Sequence, residues 1–134
     1  MTLATVGEDG IPHAVDVYFA AGTGKLPPFY FYSQADTQHG RDLASRPQAA
    51  ATIHPLVADW QAIHGVQIRG TAQLITDKRE GDHAFVLYVR KFAFALRLKA
   101  LLTTNEMFVF RPTWVRVIDN RRGFGFKEEK GITE

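Results

Sequence analysis

The chain contains no cysteine. That excludes a disulfide framework, a thiolate metal site and a cysteine nucleophile. No apolar run approaches the roughly 20 residues that a membrane helix needs, and no basic-then-apolar leader pattern opens the sequence. Charge of one sign is also scarce, with 16 Lys and Arg against 14 Asp and Glu, a formal net charge of +2. So small a surplus calls for neither a nucleic-acid nor a membrane partner, and cytoplasm is the expected compartment. Signatures of common hydrolases are missing as well. No serine stands in G-x-S-x-G, and the histidines at 13, 39, 54, 64 and 83 form no H-E-x-x-H and no i,i+4 pair. His54 and His64 are placed to approach across neighbouring strands, but with no evident acidic third ligand they do not make a metal site.

What the chain has in quantity is aromatic and apolar surface. Ten Phe, four Tyr and two Trp within a 46% hydrophobic composition imply a folded core. A length of 134 residues suits one domain, residues 1–134.

Strand patterns dominate. Met1–Val6 has strand character and is followed by the hairpin signal Glu8-Asp9-Gly10. Ile11–Ala21 alternates as a second strand, with Val15, Val17 and Phe19 on one face and Asp16 and Tyr18 on the other. Gly22-Thr-Gly24 turns the chain into the aromatic strand Phe29–Tyr32. Gln48–His54 reads as a fourth strand, and Trp60–Ile75 as the longest. Gly65 and Gly70 within it suit a bulge or a close backbone approach. Asp77-x-x-Glu80 has capping-box spacing and opens a helical pattern through Ala84, Leu87, Tyr88, Lys91, Phe92 and Ala95, which Leu101–Asn105 brings to an end. Glu106–Asp119 returns to strand, with Pro112 marking a break or bulge. A mainly β protein follows: a six-stranded antiparallel barrel with two or three short helices.

The stretch Phe29–Arg46 concentrates the polar chemistry. A strand ends at Ser33-Gln34, Asp36 or Thr37 stands at an N-cap position, and Leu43 and Ala44 offer an apolar side before Pro47 stops the helix. Ser33, Gln34, Thr37, Gln38 and His39 all carry hydrogen-bond donors, and Arg41 follows one turn on. A strand end feeding a helix start is a natural phosphate seat; the same residues also serve an ordinary capped turn. Near the end of the chain, Arg122-Gly-Phe-Gly-Phe126 mimics the aromatic signature of an RNA-recognition motif. Its continuation Lys127-Glu-Glu breaks that signature and no helix and strand follow to complete that fold, so the RNA reading fails on context.

The run YFYSQADTQHGRDL resembles the strand–turn–helix of the pyridoxamine 5'-phosphate oxidase-like, FMN-binding split-barrel proteins. The likeness extends through TLATVGEDGIPHA, IHGVQIRGTAQLI and VRVIDNRRGFGFK, and is closer to a small subfamily of flavin-binding-like proteins than to the oxidases. It implies a split β-barrel, FMN as cofactor (with deazaflavin or haem as the alternative), and a homodimer with cofactor sites at the subunit interface. It implies flavin-dependent oxidoreduction of a small molecule, or else non-catalytic flavin or haem binding in storage or sensing. By the same resemblance Ser33, Thr37 and His39 match hydroxyl and basic positions of the phosphate turn. Gln34, Gln38 and Arg41 flank them, with Gln38 standing where relatives have Arg. Asp16, Val17, Tyr18 and Phe19 correspond to the strand lining the flavin ring. Asn120, Phe124 and Lys127 belong to the C-terminal segment that reaches toward a flavin, often the partner's. Relatives usually carry a helix ahead of the first strand; it is missing here, so either the sequence is trimmed or this member lacks that cover. The oxidases also carry an Arg and a Lys where this chain has Val15 and Ala20, a departure that argues against pyridoxamine phosphate as substrate.

Overall fold

A computed structural model describes residues 1–97 and 106–131. Alternating small and β-branched residues give β1 (Thr2–Val6) and β2 (Pro12–Asp16), paired through a turn in which the Gly10 N–H donates to the Gly7 carbonyl at 3.0 Å. Gly10 takes φ 75°, a left-handed backbone that costs glycine little. Then follow β3 (Ala20–Ala21), β4 (Phe29–Ser33), helix α1 (Gln38–Ser45) and β5 (Gln48–Ile53). A 3-10 turn at Trp60–Ala62 leads into β6 (His64–Leu74), helices α2 (Lys78–Lys91) and α3 (Phe94–Arg97), and β7 (Glu106–Asp119). A second 3-10 turn, Asn120–Arg122, precedes β8 (Lys127–Gly131).

All pairings are antiparallel, in the order β2-β1-β5-β6-β7-β4-β3. The two ends of that list are consecutive in the chain. β2 pairs with β1, β3 pairs with β4, and Asp16–Phe19 bends between them, so the ring closes through the backbone itself. β7 runs beside β6 along its whole length, beside β4 over Glu106–Phe110, and beside β8 over Trp114–Ile118. The change of partner on one side of β7 is what splits the barrel.

These ladders confirm the mainly β class and bring the strand count among the described residues to eight. The two extra strands have definite causes. Ile11–Ala21 is not one strand, because its alternation survives the bend while its partner changes from β1 to β4. The Lys127–Gly131 segment, all exposed charge and glycine, pairs on β7 through a salt bridge from Arg116 to Glu129 at 2.6 Å. The strand beginning at Trp60 starts instead at His64, because Asp59 caps the 3-10 turn by accepting from the Gln61 N–H at 3.0 Å. β7, with 14 residues, exceeds the 11 of β6.

Other expectations hold. Asp77 caps α2 by accepting from the Glu80 N–H at 2.8 Å, and Ala84 and Tyr88 form its buried face. Pro112 marks a bulge: Arg69 pairs with Trp114 and Gly70 with Pro112, leaving Thr113 unopposed. The backbones close so tightly there that a Cβ on Gly70 would stand 2.0 Å from the Arg111 carbonyl oxygen. The expected helix end at Leu101–Asn105 lies outside the described residues.

The core fills the barrel with Leu3, Phe29, Phe31, Leu43, Ile68, Phe108 and Phe110. Phe31 and Phe108, directly paired across β4 and β7, stack at 5.3 Å. A second layer packs Tyr88 and Ala95 over Ala20. Ala20 is buried, so the position at which oxidases carry lysine is packed here against Tyr88.

Candidate functional site

β4 and α1 meet at a tight turn in which the Thr37 N–H donates to the Gln34 carbonyl at 3.2 Å, and the Thr37 hydroxyl to the same oxygen at 2.7 Å. Thr37, not Asp36, is the N-cap, and its Oγ1 accepts from the Gly40 N–H at 3.1 Å. Gly40 is required by proximity: a Cβ there would stand 2.6 Å from the Ala35 carbonyl oxygen. The amphipathic pattern also orients α1. Leu43 points into the core, whereas Ala44 is exposed rather than part of the apolar side.

Three expected residues converge on this turn. His39 is buried, and its Nε2 is hydrogen-bonded to Ser33 Oγ and lies 3.2 Å from Thr37 Oγ1. Burial holds the imidazole below its ordinary pKa, and the neighbouring His13 lowers it further, against a smaller opposing pull from Asp42. The backbone N–H groups of Gln38 and His39, in the first helical turn, have no partner among the described residues. The Ser33 hydroxyl, the imidazole and the two free amides are donors suited to a phosphate, while the Thr37 hydroxyl gives its proton to the Gln34 carbonyl.

The flanking residues are deployed differently. Gln38 turns its amide inward and donates to Asp42 Oδ1 at 2.8 Å. Arg41 donates to the Asp36 carbonyl and to Gln38 Oε1, the latter at 3.2 Å. Gln34 is exposed. Behind the turn sits a buried carboxylate that spacing alone did not single out. Asp42 is 2% exposed and accepts from the Thr5 hydroxyl at 2.8 Å as well as from Gln38. Burial pushes its carboxyl upward, but the hydrogen bonds from Thr5 and Gln38 and the charges of His13 and Arg41 outweigh that, and the net shift is downward. A depressed carboxyl contributes stability above the unfolded value near 4, and that contribution is lost as pH falls through the folded value. Asp42→Ala strands the buried Thr5 hydroxyl and should cost about 2–3 kcal/mol near neutral pH. Urea denaturation at pH 7 and again near pH 3 checks it: the gap between variant and parent should narrow in acid.

The residues matched to the ring-lining strand form the bend between β2 and β3. Asp16 accepts from the Thr2 hydroxyl at 2.6 Å, and the Val17 N–H donates to the Met1 carbonyl at 2.9 Å. Tyr18 is 67% exposed and packs edge-on against Phe92 and Phe94. Phe19 lies under the Lys91 ammonium, 3.8 Å from the ring centroid, and its carbonyl accepts from Lys91 at 2.7 Å.

Asn120, Phe124 and Lys127 are not brought to the turn within one chain. Ser33 pairs with Glu106 at the start of β7, whereas Asn120 follows its far end. There Asn120 Nδ2 donates to the Trp60 carbonyl at 2.8 Å and its Oδ1 accepts from the Gly125 N–H at 3.1 Å. Phe124, 86% exposed, meets Trp60 edge-on at 5.5 Å, and Lys127 opens β8 as an exposed residue. The RGFGF segment is thus the turn into β8. His54 and His64 do line one cavity, of about 150 Å³. No group of three potential metal-binding side chains occurs among the described residues, nor any helix long and apolar enough to cross a membrane.

A ring of antiparallel strands closed through one bent strand, with its last barrel strand divided between two neighbours, defines the split-barrel class. Solved structures share it. The haem-binding protein from Mycobacterium smegmatis superposes with a TM-score of 0.77 at 25% identity, over 97% of this chain and 51% of that one. HutZ, the haem storage protein from Vibrio cholerae, gives 0.69 at 16% identity, over 83% and 79%, and speaks for the fold alone.

Within that class the family is defined by sequence: a family model described as pyridoxamine 5'-phosphate oxidase matches residues 1–119, and the chain belongs to that family. It is 36% identical over 85 residues to a pyridoxine/pyridoxamine 5'-phosphate oxidase from Rhodopseudomonas palustris, covering 62% of this chain and 36% of that enzyme. The match to the corresponding protein of Xanthomonas oryzae is 40% over 80 residues, or 57% and 37%. The chain thus matches little more than a third of the length of the curated relatives.

Proposed function

We propose that the protein binds FMN through the β4–α1 turn and serves as a flavin-dependent oxidoreductase on a small molecule. The observation that carries this reading is the convergence of Ser33, Thr37 and His39 beside the free N–H groups of α1, in a chain of this family. These residues would hold the phosphate, and the Asp16–Phe19 bend would border the ring. Bound flavin supplies the capacity to accept and pass on a hydride, so the chain needs no acid–base pair of its own for a simple reductase. The side chains hold, orient and exclude water. The substrate of the named relatives is not favoured, because Val15 and Ala20, packed against apolar clusters, themselves carry no charge to offer a second phosphate.

A homodimer fits the same reading. Asn120, Phe124 and Lys127 stand at the far end of β7 from the phosphate turn, so they would reach a flavin only across a subunit boundary.

In the variant Thr37→Ala/His39→Ala, FMN affinity should fall at least about tenfold, as expected when charge-assisted and neutral contacts to the anion are lost together. Quenching of flavin fluorescence measures it. Unchanged affinity would remove the site from this turn.

Haem is the second reading, favoured by the Mycobacterium smegmatis protein at 25% identity. The His64 Nδ1–H donates to the Ala62 carbonyl, 2.8 Å away, which leaves Nε2 for an iron. A Soret band on haem addition that disappears in His64→Ala would establish it; flavin absorbance in the purified protein would favour the first reading.

A further inference from the structure

The phosphate turn lacks a cation at the position where relatives place arginine, and the structure shows how the nearby candidates are spent. Gln38 is tied to Asp42, and Arg41 is folded onto the Asp36 carbonyl and Gln38. The remaining basic group arrives from another element. Thr5 pairs with His13 across the β1–β2 ladder. Thr5 also holds Asp42 of α1, which fixes the hairpin against the helix. That docking lays the His13 ring parallel to His39, with 6.5 Å between centroids and 4° between planes.

We propose that His13 is the second cationic group of the phosphate seat, paired with His39, and that the seat takes up a proton when it binds a phosphate monoester. This rests on the reading that the β4–α1 turn holds the FMN phosphate. In the empty seat, burial and the neighbouring His13 lower the pKa of His39. A dianion at the mouth of the turn reverses the balance by attracting both imidazolium charges. The charged groups around His39 are few: His13 from β2, and Asp42 and Arg41 from α1, with Ser33 of β4 contributing a neutral hydroxyl. Glu8 and Asp9 line the groove beside Asp42 and add negative charge on that side. An arginine would bind phosphate equally at pH 6.5 and 8.5; an imidazole pair does not.

The sign follows from linkage. Burial and His13 lower the pKa of His39 in the free protein, and an anion raises it in the complex. Affinity must therefore weaken as pH rises through the complex's value. Between pH 6.5 and 8.5 a phosphate monoester stays largely dianionic, since its second pKa is near 6, so the dependence belongs to the protein. The experiment is calorimetric titration of the full chain with FMN at those two pH values, in two buffers of different ionisation enthalpy, with riboflavin as the ligand lacking phosphate. The expected result is about five- to tenfold weaker FMN binding at the higher pH, net proton uptake at the lower, and neither effect with riboflavin. His13→Gln, at a half-buried position, should flatten the profile and reduce the proton count while retaining the fold by circular dichroism. FMN binding that is flat with pH, or a His13→Gln profile like the parent's, overturns the role of His13 and leaves the FMN site standing. No FMN binding at any pH overturns both.

Discussion

Phe31→Ala should lower the stability of the protein by about 3–5 kcal/mol, the range for deleting a fully buried aromatic side chain. Phe31 has no exposed surface, stacks on Phe108 across the β4–β7 ladder, and touches the cluster containing Leu3, Leu43 and Ile68. The void would open where the barrel interior meets α1, and nothing larger than a side chain is nearby to collapse into it. The consequence reaches the site as well. Ser33 follows two residues later on the same strand, and His39 is positioned through Ser33 and the helix that Leu43 anchors. Thermal unfolding should shift down by roughly 10–20 °C, at a few degrees per kcal/mol for a chain of this size. On the proposed reading, FMN affinity of the folded fraction should weaken too. A shift of less than about 3 °C would mean that the interior repacks freely, contrary to the close packing described.

The second large effect is expected at Gly70→Val. The Arg111 carbonyl oxygen would lie 2.0 Å from the new Cβ and the Pro112 Cα 3.0 Å, both backbone atoms that no rotamer change can move. Relief requires β6 and β7 to separate at the bulge. Thr113 is the unopposed residue there, and just beyond it β7 begins to pair with β8. Separation should therefore release β8 first. Hydrogen exchange should show lost protection at Val115–Ile118 and Lys127–Lys130, with β1 and β5 retaining theirs, and overall stability should fall by several kcal/mol, as for other severe overpacking. If Gly70→Val unfolds altogether, Gly70→Ala carries the same Cβ and tests the same contact. Full protection of β8 in the alanine variant would contradict the packing at the bulge.

Local chemistry explains which parts of this architecture could be anticipated from sequence. Asp77, Thr37, Gly70 and Pro112 each carry their structural instruction in their own backbone or side chain, and each is found in the expected role, whereas the Glu80 carboxylate turns to Arg111 instead of closing a capping box. The bend at Asp16–Phe19 carries none. Its alternation is continuous, no Gly or Pro interrupts it, and only the competing demands of β1 and β4 bend it. β8 was hidden for the opposite reason: Lys-Glu-Glu-Lys-Gly has no apolar periodicity, and its pairing depends on Arg116 and Trp114 from β7. At the site, the β4–α1 residues were legible because they are contiguous. Thr5, His13 and Asp42 come from three elements. One signal was present, however: the alternation of β1 places Thr5 on the same inward face as Leu3, and a polar residue there needs a partner.

β7 has a consequence for how the chain is made. It is the last barrel strand to leave the ribosome, yet it completes the pairing of both β4 and β6. Until Glu106–Phe110 emerges, the aromatic strand Phe29–Ser33 waits with an unsatisfied edge, and the nascent chain presents Phe29, Tyr30 and Phe31 to whatever strand it meets. All three are buried in the finished protein. Synthesis thus passes through an interval in which an aromatic ladder of the finished protein is an open edge.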